Sequence, residues 1–421
     1  MRGEITNMIF KKGELFNGPG GLAIGAIEAG FVHPETGEEW RIEHKWSNDY
    51  DPNACDTYRL NICDDPEDES VHCGPVQDLP IGDRSVLGDI DCFAFGFPCN
   101  DYSQVGEKHG LDGKFGPLYS YGVKVLKSYQ PKFFVAENVG GLQSANEGQA
   151  FIKILTELEE CGYQLTPHLY KFEQYGVPQA RHRIIIVGIR NDLAEEGVEF
   201  KVPAPTTPSS ADYKTSREAI INPPIPENAP NHEMPKHTKR VKEMLSYIPP
   251  GENAWYVGIP EELRLKVKGA RLSSIYKRLD PDRPAYTVTG SGGGGTHMYH
   301  WEELRALTNR ERARLQTFPD DFEFCGSKEA VRKQIGMAVP PAGAKIVFEA
   351  ILKSFAGIEY EWILPTKKLQ LDTLRGKRKV NIEEIEESAK QETLEPVKAE
   401  VYEEKEETTE VVREEQLSFK I

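Results

Sequence analysis

From residue 13 to residue 190, short apolar runs alternate with amphipathic stretches. GELF (13–16) is followed by GLAIGAIEAG, RIEHKW by PNACDTYRLN, and DCFAFGF (91–97) by the segment around LYSYGVKVL. KFFVAENV (132–139) leads into AFIKILTELEECG, and YQLTPHLYKF with RHRIIIVGI closes the series. Brief apolar runs bounded by turn residues read as buried strands, and the longer periodic stretches as helices. Their alternation predicts an α/β fold, a doubly wound sheet with helices on both faces. Ligands of such sheets sit at the carboxyl ends of the strands, so chemistry is expected in the loops leaving these runs.

The texture changes after Arg190, where VPAPTTP and NPPIPENAP cannot continue the rhythm because proline lacks the amide a strand or helix interior needs. A boundary falls near 195. Beyond it come a segment without a βαβ pattern, the glycine run Gly292–Gly295, and two helical patterns, LTNRERARLQTF and AGAKIVFEAILKSF, the second able to return to the first domain. The expected division is residues 1–195, a smaller domain with a hinge over 196–307, returning helices over 308–360, and a tail over 361–421.

Length and composition narrow the class. The chain has 421 residues, 38% of them hydrophobic, which fits two or three packed domains and excludes a disordered or collagenous protein. The best apolar run, Ile184–Ile189, is strand-sized, and MRGEITNMIF lacks the apolar centre of a secretion signal, so a soluble cytoplasmic protein without a membrane span is expected. Seven dispersed cysteines, an odd number, argue against a disulfide framework. The net charge of −16 is unevenly placed: residues 381–421 hold fourteen Glu against five Lys/Arg, whereas residues 236–283 hold eleven Lys/Arg against six Asp/Glu. A basic segment apart from an acidic, mobile tail leaves nucleic acid open as a partner.

Several strand-exit segments carry reactive or binding groups. Phe16, Gly18, Gly20 and Gly21 lie where a strand gives way to a helix, and glycines there let backbone amides approach a ligand. Asp49 and Tyr50 end the next strand, a carboxylate suited to ribose hydroxyls beside a ring suited to adenine, which together suggest an adenosine-containing cofactor. Pro98, Cys99 and Ser103 follow DCFAF, where a cysteine is either reactive or structural; Glu137 ends KFFVA at the same sheet edge. Gln179, Arg181 and Arg183 alternate as a strand begins and are expected to project to one face. No metal-ligand spacing is recognised among the histidines and cysteines.

The ordered set F-x-G-x-G-G, G-F-P-C, E-N-V, Q-x-R-x-R and a late G-x-x-V-P-P (336–341) resembles the DNA (cytosine-5)-methyltransferase family of prokaryotic restriction-modification type, over roughly residues 13–190 and 275–356. The resemblance implies a Rossmann-like S-adenosylmethionine-dependent methyltransferase fold, a doubly wound mixed sheet with a target recognition domain at 196–307. It implies methyl transfer from S-adenosyl-L-methionine to carbon 5 of a flipped-out cytosine in double-stranded DNA. Cys99 would add to carbon 6, Glu137 would act at N3, and Arg181 and Arg183 would bind the ring or hold Glu137. Phe16, Gly18, Gly20, Gly21, Asp49, Tyr50, Pro98, Leu118, Met337 and Ala338 would line the cofactor pocket. Ser103, Gln179, Lys239, Arg240, Lys266, Lys268, Arg271 and Arg278 would meet DNA. A separately acting cognate endonuclease and a monomeric state complete the expectation. An RNA cytosine-5 methyltransferase and a catalytically silent DNA-binding relative are the alternatives. Three positions depart from the pattern: Asn100 stands where Gln is usual, Met337 for Asn, and Pro75 for the acid that meets the adenine amino group.

Overall fold

A computed structural model describes residues 7–97, 118–139, 149–266, 272–291 and 293–376. By its internal contacts the chain divides into Met1–Leu374 and Arg375–Ile421; the strands belong to the first unit, and beyond Gly376 the second lies outside the described residues.

The strands are β1 (Met8–Leu15), β2 (Phe31–Val32), β3 (Glu39–Asp49), β4 (Val71–Cys73), β5 (Cys92–Gly96), β6 (Phe133–Val139), β7 (Tyr163–Lys171), β8 (Gln179–Ala180), β9 (His182–Arg190), β10 (Val202–Pro203), β11 (Ala285–Tyr286) and β12 (Trp362–Ile363). The helices of the sheet region are α1 (Gly21–Glu28), α2 (Pro52–Tyr58), α3 (Arg84–Leu87), α4 (Tyr119–Tyr129), α5 (Gln149–Glu159) and α6 (Asn191–Glu195). Later come α7 (Ser216–Ile221), α8 (Lys239–Ser246), α9 (Asn309–Leu315), α10 (Lys328–Met337) and α11 (Pro341–Ala356).

The expected α/β fold is present as an eight-stranded mixed sheet of order β2-β3-β1-β5-β6-β9-β7, with β4 beside β3. β3, β1, β5 and β6 run parallel; β9 is antiparallel to both its neighbours, β6 and β7, so β7 runs in the same direction as β6. β1 has β3 on one side and β5 on the other, so the chain order reverses there and opens a crevice at the carboxyl ends Leu15, Asp49, Gly96 and Val139.

Strict alternation explains why both faces are covered. Phe93, Phe95, Phe134, Ala136, Ile184 and Ile186 point into one core, under α4 and α5. Cys92, Ala94, Phe133, Val135, Ile185 and Val187 point into the other, under α1 and α11. α11 is the anticipated return helix, and its approach is very close: a Cβ on Gly25 would lie 2.5 Å from that of Ala344. The stretch 328–356 is apolar on average, which a search for unbroken runs passes over, yet 72% of its most apolar window is buried inside the fold.

Two further cores serve the second half. One gathers Leu279, Val288, Leu307, Phe318, Phe322 and Ile335 around α9 and α10; the other gathers Met244, Leu245, Ile248, Ile259 and Tyr299 around α8. Thr308 caps α9 with a capping box completed by Glu311. The chain stays in the fold past residue 361, because β12 pairs with β10 and Leu369 is 1% exposed. The tail therefore begins near 375 and not at the expected 361, since Leu369, Leu371 and Leu374 pack on the first core.

Candidate active site

Sheet register brings the acid to the crevice. Glu137 on β6 pairs with Gly96 on β5, and a Cβ on Gly96 would sit 3.2 Å from Glu137 Oε2. Antiparallel β9 supplies the cation: Arg183 Nε donates to Glu137 Oε1 at 2.9 Å, both side chains being largely buried. Burial pushes the Glu137 carboxyl above its ordinary range, against the opposing pull of Arg183 and then Arg181. Asn138 turns the other way; its Nδ2 donates to Phe97 O at 3.1 Å and fixes the last described residue after β5. The sequence assigns this asparagine no task of its own, and its place beside Glu137 in E-N-V is the available signal. Pro98, Cys99, Ser103, Lys268 and Arg271 lie outside the described residues.

The expected single face holds, since Gln179, Arg181 and Arg183 turn inward while Ala180 and His182 between them are exposed, but the roles expected of that face are corrected. Only Arg183 meets Glu137 directly. Arg181 is fully buried and donates to Val288 O, Gly336 O and Ala338 O at 2.8–3.0 Å. Gln179 is equally buried; it donates to Leu315 O and Gln316 Oε1 and accepts from Val288 N. These two side chains splice the sheet to the β11 segment and to the last motif, because β8 pairs in parallel with β11 and turns them inward. Gln179 is thus closed off from DNA, and Arg181 is a strut with no donor bonded to Glu137 among the described residues.

The cofactor candidates converge. Phe16, Gly18 and Gly20 all have positive φ (56°, 50° and 100°), which makes the turn after β1. Gly18 N donates to Asp49 Oδ2 at 2.8 Å and Asp51 N to Asp49 Oδ1 at 2.9 Å. Each carboxylate oxygen keeps a lone pair for a ribose hydroxyl. Burial raises the Asp49 carboxyl, against the amides of Asp51 and Gly18 that favour its ionised form. Tyr50 and Met337 are 76% and 65% exposed, two large apolar groups left uncovered, and no atom lies within 4 Å of a Cβ built on Gly18. An open turn, a ribose-competent acid and uncovered apolar surface fit an adenosine-bearing ligand. Gly21 lies under the last motif, where a Cβ would meet Val339 O at 2.1 Å, and Ala338 is buried beside it. Leu118 is half-buried against the first core. Lys333 Nζ binds Asp51 Oδ2 at 2.9 Å, a link between α10 and α2 that no sequence signal announced.

Of the basic candidates, Lys239, Arg240 and Lys266 are exposed. Arg278 is corrected: it is 6% exposed, and its guanidinium donates to His300 O, Leu245 O, Ile248 O and Trp301 O. With all three guanidinium nitrogens occupied inside the fold, it braces the α8 core and is closed to DNA.

Residues 10–353 match the family described as C-5 cytosine-specific DNA methylase. The chain is 64% identical over 359 residues to Type II methyltransferase M.BbvI of Brevibacillus brevis, covering 84% of this chain and 93% of that protein. It is 41% identical over 347 residues to Type II methyltransferase M.NgoFVII of Neisseria gonorrhoeae, covering 81% and 86%. Among solved structures it superposes on the S. pombe Dnmt2 methyltransferase with a TM-score of 0.53 at 17% identity, covering 83% of this chain and 99% of that one, a likeness of fold.

Proposed function

The chain belongs to the C-5 cytosine-specific DNA methylase family, and on that premise we propose that Cys99 is its nucleophile and Glu137 its acid. The enzyme transfers a methyl group from S-adenosyl-L-methionine to carbon 5 of cytosine in DNA. The bound cofactor supplies a methyl group made electrophilic by its sulfonium; everything else is the work of the chain and the base.

Carbon 5 of cytosine is a weak nucleophile until a thiolate adds to carbon 6 and turns the ring into an enamine. In this reading Cys99 makes that bond, and the electron density reaching N3 is met by the proton of Glu137. The observation that carries the assignment is a buried carboxyl whose affinity for its proton is raised, beside Gly96 at the mouth of the crevice. Arg183 orients the carboxyl through Nε. Asn138 holds the strand exit at Phe97. Loss of the carbon 5 proton then expels Cys99 and restores the ring. Carbon 6 is hidden within a stacked duplex, so the target base must be extruded, at a cost of a few kcal/mol that phosphate contacts offset.

Phe16, Gly18, Gly20, Asp49, Tyr50, Leu118 and Met337 would hold the cofactor, with Pro98 completing the wall; Gly21 and Ala338 close its floor. Lys239, Arg240 and Lys266 would meet the DNA, with Ser103, Lys268 and Arg271 as further sequence candidates. The residues 196–307 serve as the target recognition domain in this reading. The name Type II methyltransferase carried by both relatives supports a modification enzyme of a restriction-modification system; we further propose that it acts as a cytoplasmic monomer apart from a cognate endonuclease.

Cys99→Ser should abolish methyl transfer while leaving S-adenosyl-L-methionine binding intact by calorimetry. A duplex containing 5-fluorocytosine should trap a covalent adduct that maps to Cys99. Methylated product accumulating with no adduct at that position would overturn the assignment.

A further inference from the structure

Arg312 on α9 is 3% exposed, and Arg332 on α10 keeps its Nε buried without a hydrogen-bond partner. Neither makes an ion pair with a carboxylate among the described residues. Arg312 Nη2 instead lies 3.2 Å from His297 Nδ1, and the two arginines repel one another. Burial, and then this repulsion, lowers the Arg312 guanidinium to about 10. His297 is held neutral, its ring lowered to about 4 by burial first and then by Arg312 and Arg332. Arg312 donates to Nδ1, so the hydrogen of the neutral ring sits on Nε2.

The acids nearby do not neutralise the group. Glu311 is committed to Arg305, with both oxygens at 2.8 Å from its guanidinium. Glu329 acts on His297 only as the last and weakest influence, after His237. The ring of Tyr286 forms part of the surroundings of Arg312, with Lys277 Nζ over that ring at 5.1 Å from its centre. Beside the group runs the glycine turn: a Cβ on Gly293 or Gly294 would meet nothing within 4 Å. Burying like charges together is costly unless an anion completes the set. A backbone without Cβ atoms gives a tetrahedral oxyanion close access.

We infer that Arg332 and the Nε2–H of His297, backed by Arg312, form a seat for one backbone phosphate of the substrate duplex over the Gly293–Gly295 turn. The inference rests on the DNA methylation reading and extends it to residues outside the basic segment. A phosphate contact of this kind strengthens binding to every sequence alike and steepens its salt dependence.

The test uses the full chain and a mixed-sequence DNA duplex, with affinity measured over a range of salt concentrations. Each phosphate neutralised adds about 0.9 to the slope of log affinity against log salt. Arg332→Gln should make the slope shallower by about that amount, and Arg332→Lys should restore it. A slope unchanged in Arg332→Gln, whether or not its melting temperature falls, would overturn the seat and make the arginine a structural element. Wild-type methylation of the same DNA is measured beforehand, so a failure of the enzymatic reading shows itself separately.

Discussion

Glu137 illustrates how one side chain takes on its task from its surroundings. Burial favours its neutral form, and Arg183 at 2.9 Å opposes that, with burial the larger effect. If the neutral acid serves N3, turnover should fall as pH rises through its elevated pKa. Arg183→Gln removes the charge that favours ionisation, so it should move this falling limb to higher pH while slowing turnover overall. A kcat profile against pH checks both; a limb that stays in place would detach Glu137 from it. Glu137, Arg183, Asp49 and the glycines of the first turn are legible in the sequence because their chemistry belongs to short, contiguous motifs. Arg181, Gln179 and Arg278 mislead for a common reason. A guanidinium or amide suited to phosphate or base is equally suited to backbone carbonyls, and sequence does not say which it faces.

At the scale of elements, the fold depends on the contact between α1 and the return segment. Gly21→Ala would place a methyl group 2.1 Å from Val339 O, a backbone atom that cannot swing aside. We expect a loss of about 3 kcal/mol from overpacking. Gly18→Ala, in open space with φ +50°, should cost only about 1 kcal/mol of backbone strain. Denaturant midpoints of the two variants should separate accordingly, and equal midpoints would show that the last motif yields. The strands and main helices of residues 8–190 follow the hydrophobic alternation closely, because each is long enough to show its period. The two-residue pairs β8–β11 and β10–β12 escape such reading: their partners are far along the chain and their length carries no period.

For the whole molecule, the boundary near 375 has a direct consequence. A chain ending at Gly376 should keep wild-type turnover and melting temperature. One ending at Pro365 should melt lower, since it loses Leu369 from the core and the bonds of Thr366 to His168. Equal melting temperatures would refute the boundary. His168 also sets part of the acid stability. Its pKa is lowered to about 4 by burial. Between that value and the unfolded value of about 6.5 the unfolded chain binds more protons, so stability is full above the window and falls as pH drops through it. The loss from this residue should be on the order of 3 kcal/mol, and His168→Gln should flatten melting temperature against pH there. The primary sequence by itself determined the alternating architecture, the order of motifs and the chemistry they carry, because those reside in local periods and contiguous residue types. The tertiary structure alone decided which cations face inward, where the tail begins and which charges remain uncompensated, because burial and hydrogen-bond partners are set by residues tens to hundreds of positions apart.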